Sequence, residues 1–284
     1  MCVAIKPVAP VLEVDWLTGR VRTDPRHVVR TRSDEAACAV GYALGAALGC
    51  AVVVVAASGP AAEGVLRAAL AEGAIRAVRV VIGDDDRDAS DPAEQWGSGV
   101  VAAALSAVAT GARAVVCGDA SGDRGSGTVP ARLAHLLALP QALCLRAVAA
   151  HGTELVATRR LDGGRRERLR VDVPCVVSVE SAAASAPRAA LPRVVDTTGG
   201  TDAYEVVVVA VPESARRGDP MGSIVGPHRP RPSLVAAPRE RDAVRRAVEL
   251  AGTLSHRDPP ELLRCDPDEA ADAILEHLER WRLR

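Results

Sequence analysis

The chain has 284 residues, 48% of them hydrophobic, and a formal net charge of −1 at pH 7. This length and apolar content predict one large domain, with or without an appendage. The balanced charge gives no sign of a nucleic-acid or anionic-membrane partner, and aromatic residues, at only 2%, are too few for base-stacking platforms.

Cysteines and apolar runs restrict the chain further. The seven cysteines include no CxxC pair, so we expect neither a disulfide framework nor a zinc site. The N-terminus lacks a signal-peptide pattern, and no apolar run reaches the ~20 residues that a membrane helix needs. We therefore expect a cytoplasmic protein with no membrane span.

Strand and helix patterns alternate as far as residue 118. A short strand at 3–5 and a small hairpin at 11–23 come first, and Ser33 fits the N-cap of the first helix. Apolar strands are predicted at 51–57, 76–83 and 112–118, and helices at 33–48, 61–73 and 92–110. This alternation predicts an α/β fold with a doubly wound, mostly parallel sheet. Ligands of such sheets bind beyond the carboxyl ends of the strands, here 6–10, 58–60 and 118–131.

The second half of the chain has a different pattern. Four strands are predicted at 142–150, 154–161, 165–173 and 175–181, with a hairpin turn at Asp162-Gly163-Gly164, as an antiparallel extension of the sheet. Residues 181–200 read as a loop and 204–211 as a strand. Helices are predicted at 239–252 and 267–281. We expect a main domain at 1–216, a Pro/Gly-rich linker at 217–238 and a C-terminal helical arm at 239–284.

Residues 118–131 read GDASGDRGSGTVPA, between a predicted strand and the next helix. Backbone N–H groups clustered at a helix N-terminus bind phosphate, and Ser126, Thr128 and Arg124 add further donors. The spacing matches neither GxGxxG nor GxxxxGK[ST]. The pattern alone therefore leaves phosphate binding and an ordinary strand-to-helix turn open.

Several blocks between residues 3 and 192 resemble, in order, the β subunit of the electron transfer flavoproteins. They are VAIKPV, SDEAA, SGPAAEGVLRAALAEGAIRAV, CGDASGDRGSGTVPARLAHLLALPQ, RRLDGGRRERLRVDVPCVVSVES and APRAALP. The loop that in this family typically runs Asp-Gly-Asp-Thr-Gly-Gln-Val stands here at Asp123 to Val129. The linker and tail are similar to the β-type subunit associated with the mycofactocin redox system.

The resemblance implies an adenine nucleotide alpha hydrolase-like fold and a heterodimer with an α subunit. The α subunit holds most of a redox-active FAD, and the β subunit binds a structural AMP, replaced by a second FAD in electron-bifurcating relatives. The matching nucleotide-contact positions lie at strand ends and helix starts. They are Ala4, Thr31, Arg32, Ser33, Asp34, Ser58, Asp123, Arg124, Gly125, Ser126, Gly127, Thr128 and Val129. Core packing for Ala4, an N-cap for Ser33 and a turn for Ser58 are the alternatives.

The same resemblance implies a recognition loop for partner dehydrogenases at 180–195. Leu191 matches its anchoring leucine, with Pro187 and Arg188 beside it. An exposed leucine suits a transient apolar contact. The alternative is that Leu191 packs into its own domain.

The chain departs from the family pattern at four places. Thr31-Arg32 replaces Asn-Pro, Thr128 replaces the loop glutamine, and Arg160 replaces an acidic residue. DTTGGTDAYE stands where the family has a lysine-rich stretch. The first departure bears on the identity of the nucleotide, and the last two point away from acyl-CoA dehydrogenases as partners.

No catalytic constellation is present in the sequence. The six histidines are scattered, there is no GxSxG motif, and the basic run at 159–170 fits a solvated strand face better than a nucleic-acid patch. We therefore expect an electron carrier subunit rather than an enzyme. Two alternatives stay open: a non-redox adenine-nucleotide-binding module, and a structural partner subunit without a nucleotide.

Overall fold

The computed structural model describes residues 1–15, 17–18, 21–83, 96–198, 204–217, 241–250 and 262–282. Contacts between Cα atoms divide the chain into two compact units, 1–228 and 229–284. Over the described ranges, no helix has the length and apolar character needed to cross a membrane.

The first unit contains thirteen described strands and six α-helices. The strands are β1 Cys2–Ala4, β2 Pro7–Val8, β3 Glu13–Val14, β4 Val21–Arg22, β5 Val29–Arg30, β6 Val53–Ala57, β7 Arg76–Ile82, β8 Ala114–Gly118, β9 Gln141–His151, β10 Glu154–Arg160, β11 Arg166–Asp172, β12 Cys175–Val179 and β13 Glu205–Val209. The helices are α1 Arg32–Ala47, α2 Glu63–Glu72, α3 Ser98–Ala109, α4 Thr128–Leu137, α5 Leu191–Thr198 and α6 Glu213–Arg217. Short 3₁₀ turns occupy Pro25–His27, Pro60–Ala62 and Asp162–Gly164.

Nine strands form one sheet in the order β11-β10-β9-β12-β8-β1-β6-β7-β13. Neighbouring strands from β9 to β13 in this order pair in parallel, whereas β10 pairs antiparallel with both β9 and β11. The pairs β2–β5 and β3–β4 form two small antiparallel ribbons. The predicted doubly wound, mostly parallel sheet with an antiparallel extension is confirmed.

The core consists of two apolar layers, one on each face of the sheet. On β1, Val3 enters the layer that α1 and α2 cover, whereas Cys2 and Ala4 enter the layer that α3 and α4 cover. The same alternation places Val54 and Val55 of β6 on opposite faces. Both faces are apolar because side chains alternate along a strand and helices cover each side.

Several predicted boundaries were wrong. Helix α3 begins at Ser98, after Gly97 as its N-cap, and α4 begins at Thr128, inside the glycine-rich stretch. Residues 191–198 form α5 rather than a loop. A proline at the second position of a helix costs no internal hydrogen bond, so Pro192 does not prevent this helix, which packs against α2.

The N-cap of α1 is Thr31, and the prediction of Ser33 at that place was wrong. The Thr31 hydroxyl accepts a hydrogen bond from the Asp34 N–H at 3.3 Å, as an N-cap side chain does. Ser33 lies in the first turn instead, where its hydroxyl donates to Asp119 Oδ1 at 2.7 Å.

The second unit contains two described helices, α7 Ala243–Leu250 and α8 Pro267–Arg282. Helix α8 closely matches the prediction, and Ile274, Leu275 and Leu278 on its apolar face are exposed. Except for Arg217, the predicted linker at 217–238 lies outside the described residues. The domain boundaries predicted at 216 and 238 therefore stay predictions.

Candidate functional site

A cleft opens at the carboxyl edge of the parallel sheet, where the strand order reverses. The chain runs from β1 to β6 and β7 on one side and then returns to β8 on the other side of β1. Ala4, Ala57 and Gly118, at the ends of β1, β6 and β8, all line the cleft. This is the topological switch point, where open α/β sheets bind their ligands.

The lining of the cleft combines apolar and polar side chains. The cleft measures about 710 Å³, counting the space open to solvent. Its aliphatic and aromatic lining residues include Ala4, Ala57, Trp96, Val101, Leu105 and Val129. Its polar and charged lining residues are Lys6, Asp34, Ser98, Ser121, Arg124 and Ser126. A mixed lining of this kind suits a ligand that has both an apolar group and an anionic group.

The glycine-rich loop that borders the cleft is closed by its own backbone hydrogen bonds. The Gly125 N–H donates to Ser121 O at 2.8 Å, and the Ser121 N–H donates to Ser126 O at 2.9 Å. Gly125 has a φ of +64°, which glycine adopts without strain. A Cβ at Gly127 would lie 2.2 Å from Asp119 O, so no side chain fits there.

The loop and the start of α4 present a series of unpaired donors. Backbone N–H groups at Ser126, Gly127, Thr128 and Val129 have no acceptor among the described residues. The Ser121 hydroxyl is buried and has no hydrogen-bond partner in this part of the chain. Such a buried orphan is rare in native proteins, where a water molecule, an ion or a ligand atom completes the hydrogen bond.

Two backbone N–H groups of the glycine-rich loop already have acceptors within the chain. Arg124 donates its N–H to Asp123 Oδ1 at 2.9 Å, and Gly125 donates its N–H to Ser121 O. The side chain of Arg124 lines the cleft and makes no ion pair with any residue that the structure describes. The donors open to an anion are therefore the amides of residues 126–129, Ser121 Oγ and the Arg124 guanidinium.

Asp34 contributes a buried carboxyl to the lining of the cleft. Its Oδ2 accepts hydrogen bonds from the Lys6 N–H at 3.3 Å and from Thr31 Oγ1 at 3.0 Å. Burial raises its pKa to about 7, although these hydrogen bonds and the charge of Arg30 act in the opposite direction. The cleft thus contains a carboxyl whose proton exchanges near neutral pH.

Lys6, two residues after the end of β1, is bound to the loop. Its Nζ donates to Asp123 Oδ1 at 2.8 Å and Oδ2 at 2.7 Å. Although burial raises the pKa of the Asp123 carboxyl, the hydrogen bond and charge of Lys6 hold it below its ordinary value. This ion pair joins the end of β1 to the glycine-rich loop.

The structure brings about half of the predicted nucleotide-contact residues into the cleft. Those that line it are Ala4, Asp34, Arg124, Ser126, Gly127 and Val129. The others are not among the lining residues: Thr31, Arg32, Ser33, Ser58, Asp123, Gly125 and Thr128. Ser58 is buried, and its N–H donates to Val80 O at 3.3 Å, while Ala57 takes the place in the cleft next to it.

The sequence-based prediction missed Lys6, Ser121 and Trp96. Lys6 is the only lysine of the chain and lies in one of the strand-end stretches, so its position was available from the sequence. Ser121 lies inside the glycine-rich loop, but its burial without a partner follows only from the folded loop. Trp96 lies two residues before α3 and is buried, a placement for which the sequence gives no signal.

The predicted recognition segment lies on the surface. Pro187 and Arg188 are exposed, and Leu191, the first residue of α5, is 74% exposed. The same helix is held on α2 by a hydrogen bond from the Arg67 guanidinium to Thr197 O. Leu191 therefore does not pack into the core, and it is free for contact with another protein.

Cys117 is a cysteine that lines the cleft. Burial raises the pKa of the Cys117 thiol, so this cleft-lining cysteine stays protonated and is a poor nucleophile. Within the described ranges, no group of three or more histidine, cysteine or acidic residues could hold a metal ion.

A comparison with protein families identifies the family of the chain. The profile described as "Electron transfer flavoprotein domain" matches residues 27–214, a segment that begins after β1 and includes β8, the glycine-rich loop and α4. No curated protein matched the chain. Because the match covers well over half of the sequence, the chain belongs to the electron transfer flavoprotein family.

Proposed function

We propose that this chain is the β-type subunit of a heterodimeric electron transfer flavoprotein. It passes electrons from a partner dehydrogenase through an FAD that the α subunit mainly holds, and it binds a structural adenine nucleotide, AMP, in its cleft. The observation that carries this proposal is the set of unpaired donors at the switch point, above all the buried Ser121 hydroxyl.

The residues of the cleft fit an adenine nucleotide. The apolar lining residues, which include Trp96 and Leu105, suit a purine ring. The amides of Ser126 to Val129 at the N-terminus of α4, with Arg124, suit a phosphate. Gly127 holds the loop close to Asp119, so the main chain itself faces the anion.

Electron transfer in this proposal belongs to the flavin. FAD supplies the one- and two-electron redox chemistry when it is bound, and the protein supplies binding, orientation and docking. In this chain, the exposed Leu191 offers an apolar anchor for a dehydrogenase. The resemblance of the linker and tail supports a dehydrogenase of the mycofactocin system as that partner.

Co-expression of this chain with a candidate α subunit of an electron transfer flavoprotein tests the proposal. We expect the two chains to co-purify with a flavin absorbance spectrum, and heat to release an adenine nucleotide that mass spectrometry identifies. A colourless pair, even after FAD is added, would contradict the electron-carrier function. A coloured pair without any adenine nucleotide beyond FAD, at one FAD per pair, would favour a β subunit that has lost its structural ligand.

A further inference from the structure

The cleft contains an ion pair that the proposed function does not yet use. Lys6 lines the cleft, whereas its partner Asp123 does not. Lys6 thus belongs to the lining of the cleft while its ammonium group is paired with the Asp123 carboxylate. Its two N–O distances to Asp123 are 2.8 and 2.7 Å.

Asp123 also takes a second donor that would suit an anion. Its Oδ1 accepts the Arg124 N–H at 2.9 Å in addition to Lys6 Nζ. An ammonium group and a loop amide are both kinds of donor with which proteins bind phosphate. The Asp123 carboxylate thus accepts hydrogen bonds from two donors that could instead bind an anion.

We propose that Lys6 is a phosphate-binding residue of this cleft, and that the phosphate of an adenine mononucleotide draws the Lys6 ammonium group away from Asp123. This inference rests on the proposed function and names how the same site holds its ligand. Asp123 then competes with the phosphate for the Lys6 ammonium group, and it pairs with that group when no nucleotide is bound.

The energetics favour such an exchange. The side chains of Lys6 and Asp123 are 34% and 20% exposed, and partly exposed ion pairs contribute little to stability. A phosphate monoester carries up to two negative charges and three acceptor oxygens near neutral pH, against one charge on the carboxylate. The unpaired Ser121 hydroxyl and Arg124 guanidinium provide further donors for the phosphate.

The sequence offers an unusually clean probe, because Lys6 is the only lysine. Reductive methylation with ¹³C-formaldehyde labels two amines of the full chain: Lys6 and the N-terminal amine of Met1. Met1 lies at the amino end of β1, at the opposite edge of the sheet from the cleft, and donates to Ala51 O at 2.9 Å. It is therefore an internal control within the same sample.

The labelled chain is titrated with AMP, adenosine and inorganic phosphate. We expect AMP to shift the Lys6 methyl signal and leave the Met1 signal in place, while adenosine shifts neither. AMP binding without a change at Lys6 would overturn the inference alone. If AMP does not bind to the wild-type chain in calorimetry, the proposed nucleotide function fails, and this inference fails with it. An equal shift by phosphate at the same concentration would overturn the nucleotide as the ligand.

Two variants separate binding by Lys6 from a merely structural role. Lys6→Gln should weaken the binding of AMP about tenfold, which is the scale of one charge-assisted hydrogen bond, and leave the binding of adenosine unchanged. Asp123→Asn should bind AMP several-fold more tightly because the competing charge is gone. Asp172→Asn, an exposed change on β11, is the matched control and should have no effect.

Weaker AMP binding by Asp123→Asn would show that Asp123 positions the ligand, and it would overturn the exchange. Thermal melts of each variant check that it is folded. If either variant does not fold, the Lys6 methyl signal of the wild-type chain still decides the question.

Discussion

Replacing Asp34 with asparagine should remove a loss of stability that the wild-type chain suffers as the pH rises through neutrality. The carboxyl is only 5% exposed, and burial raises its pKa from 3.8 to about 7. The neutral form is therefore preferred in the folded state, whereas the unfolded chain ionises at much lower pH. The contribution of Asp34 to stability is fully present below pH 3.8 and is lost as the pH rises through about 7.

The size of the effect follows from the shift in pKa. Each pKa unit corresponds to about 1.4 kcal/mol, so the full loss for roughly three units is up to about 4 kcal/mol. About 3 kcal/mol of this loss falls between about pH 5 and pH 8. Asparagine cannot ionise, and its amide oxygen can still accept from the Lys6 N–H and from Thr31, as Oδ2 does now.

Urea denaturation of the full chain at several pH values measures this difference. The free energy of unfolding of the wild-type chain should fall relative to that of Asp34→Asn as the pH rises. Other titrating groups are common to both proteins, so they cancel in the comparison. Asp172→Asn, on the exposed face of β11, is the control and should follow the wild type. Parallel pH profiles for wild type and Asp34→Asn would refute the reasoning.

Three further predictions concern the loop and the docking segment. Gly127→Ala should abolish AMP binding because its Cβ meets a carbonyl oxygen at 2.2 Å, whereas Gly64→Ala, with open space around it, should bind normally in calorimetry. Ser121→Ala should raise the free energy of unfolding of the ligand-free chain by about 1 kcal/mol, because it removes a buried hydroxyl that has no hydrogen-bond partner. The same substitution should weaken the binding of AMP. A loss of stability would contradict this interpretation. Leu191→Ser should slow flavin reduction of the heterodimer by its dehydrogenase at unchanged Tm, and Leu17→Ser, an exposed leucine elsewhere, should not.

The fold was predictable because its signals are local. Apolar runs such as 51–57 predict strands covered on both faces, and Gly73 ends its helix where the sequence indicated. Helix α5 was not predicted because it has only eight residues and contains Pro192. Packing against α2 stabilises it. Tertiary contact of this kind leaves no periodic pattern that a single sequence can reveal.

The candidate site was predictable in its backbone and not in its side-chain contacts. Glycine spacing and a following helix indicate clustered amides, and the structure has unpaired N–H groups there, from Ser126 onward. The contact between Lys6 and Asp123 joins residues 117 positions apart, so it depends on the sheet order that brings β1 beside β8. The burial of Ser121 Oγ likewise follows from the closed loop.

Mass spectrometry of the small molecules that heat releases from the purified full chain, expressed with its α partner, is the most direct test of an adenine nucleotide in the cleft. We predict one AMP per pair in addition to FAD, and its loss in Gly127→Ala but not in Gly64→Ala. Release of no adenine nucleotide besides one FAD per pair, together with no AMP binding to the wild-type chain in calorimetry, would contradict the account.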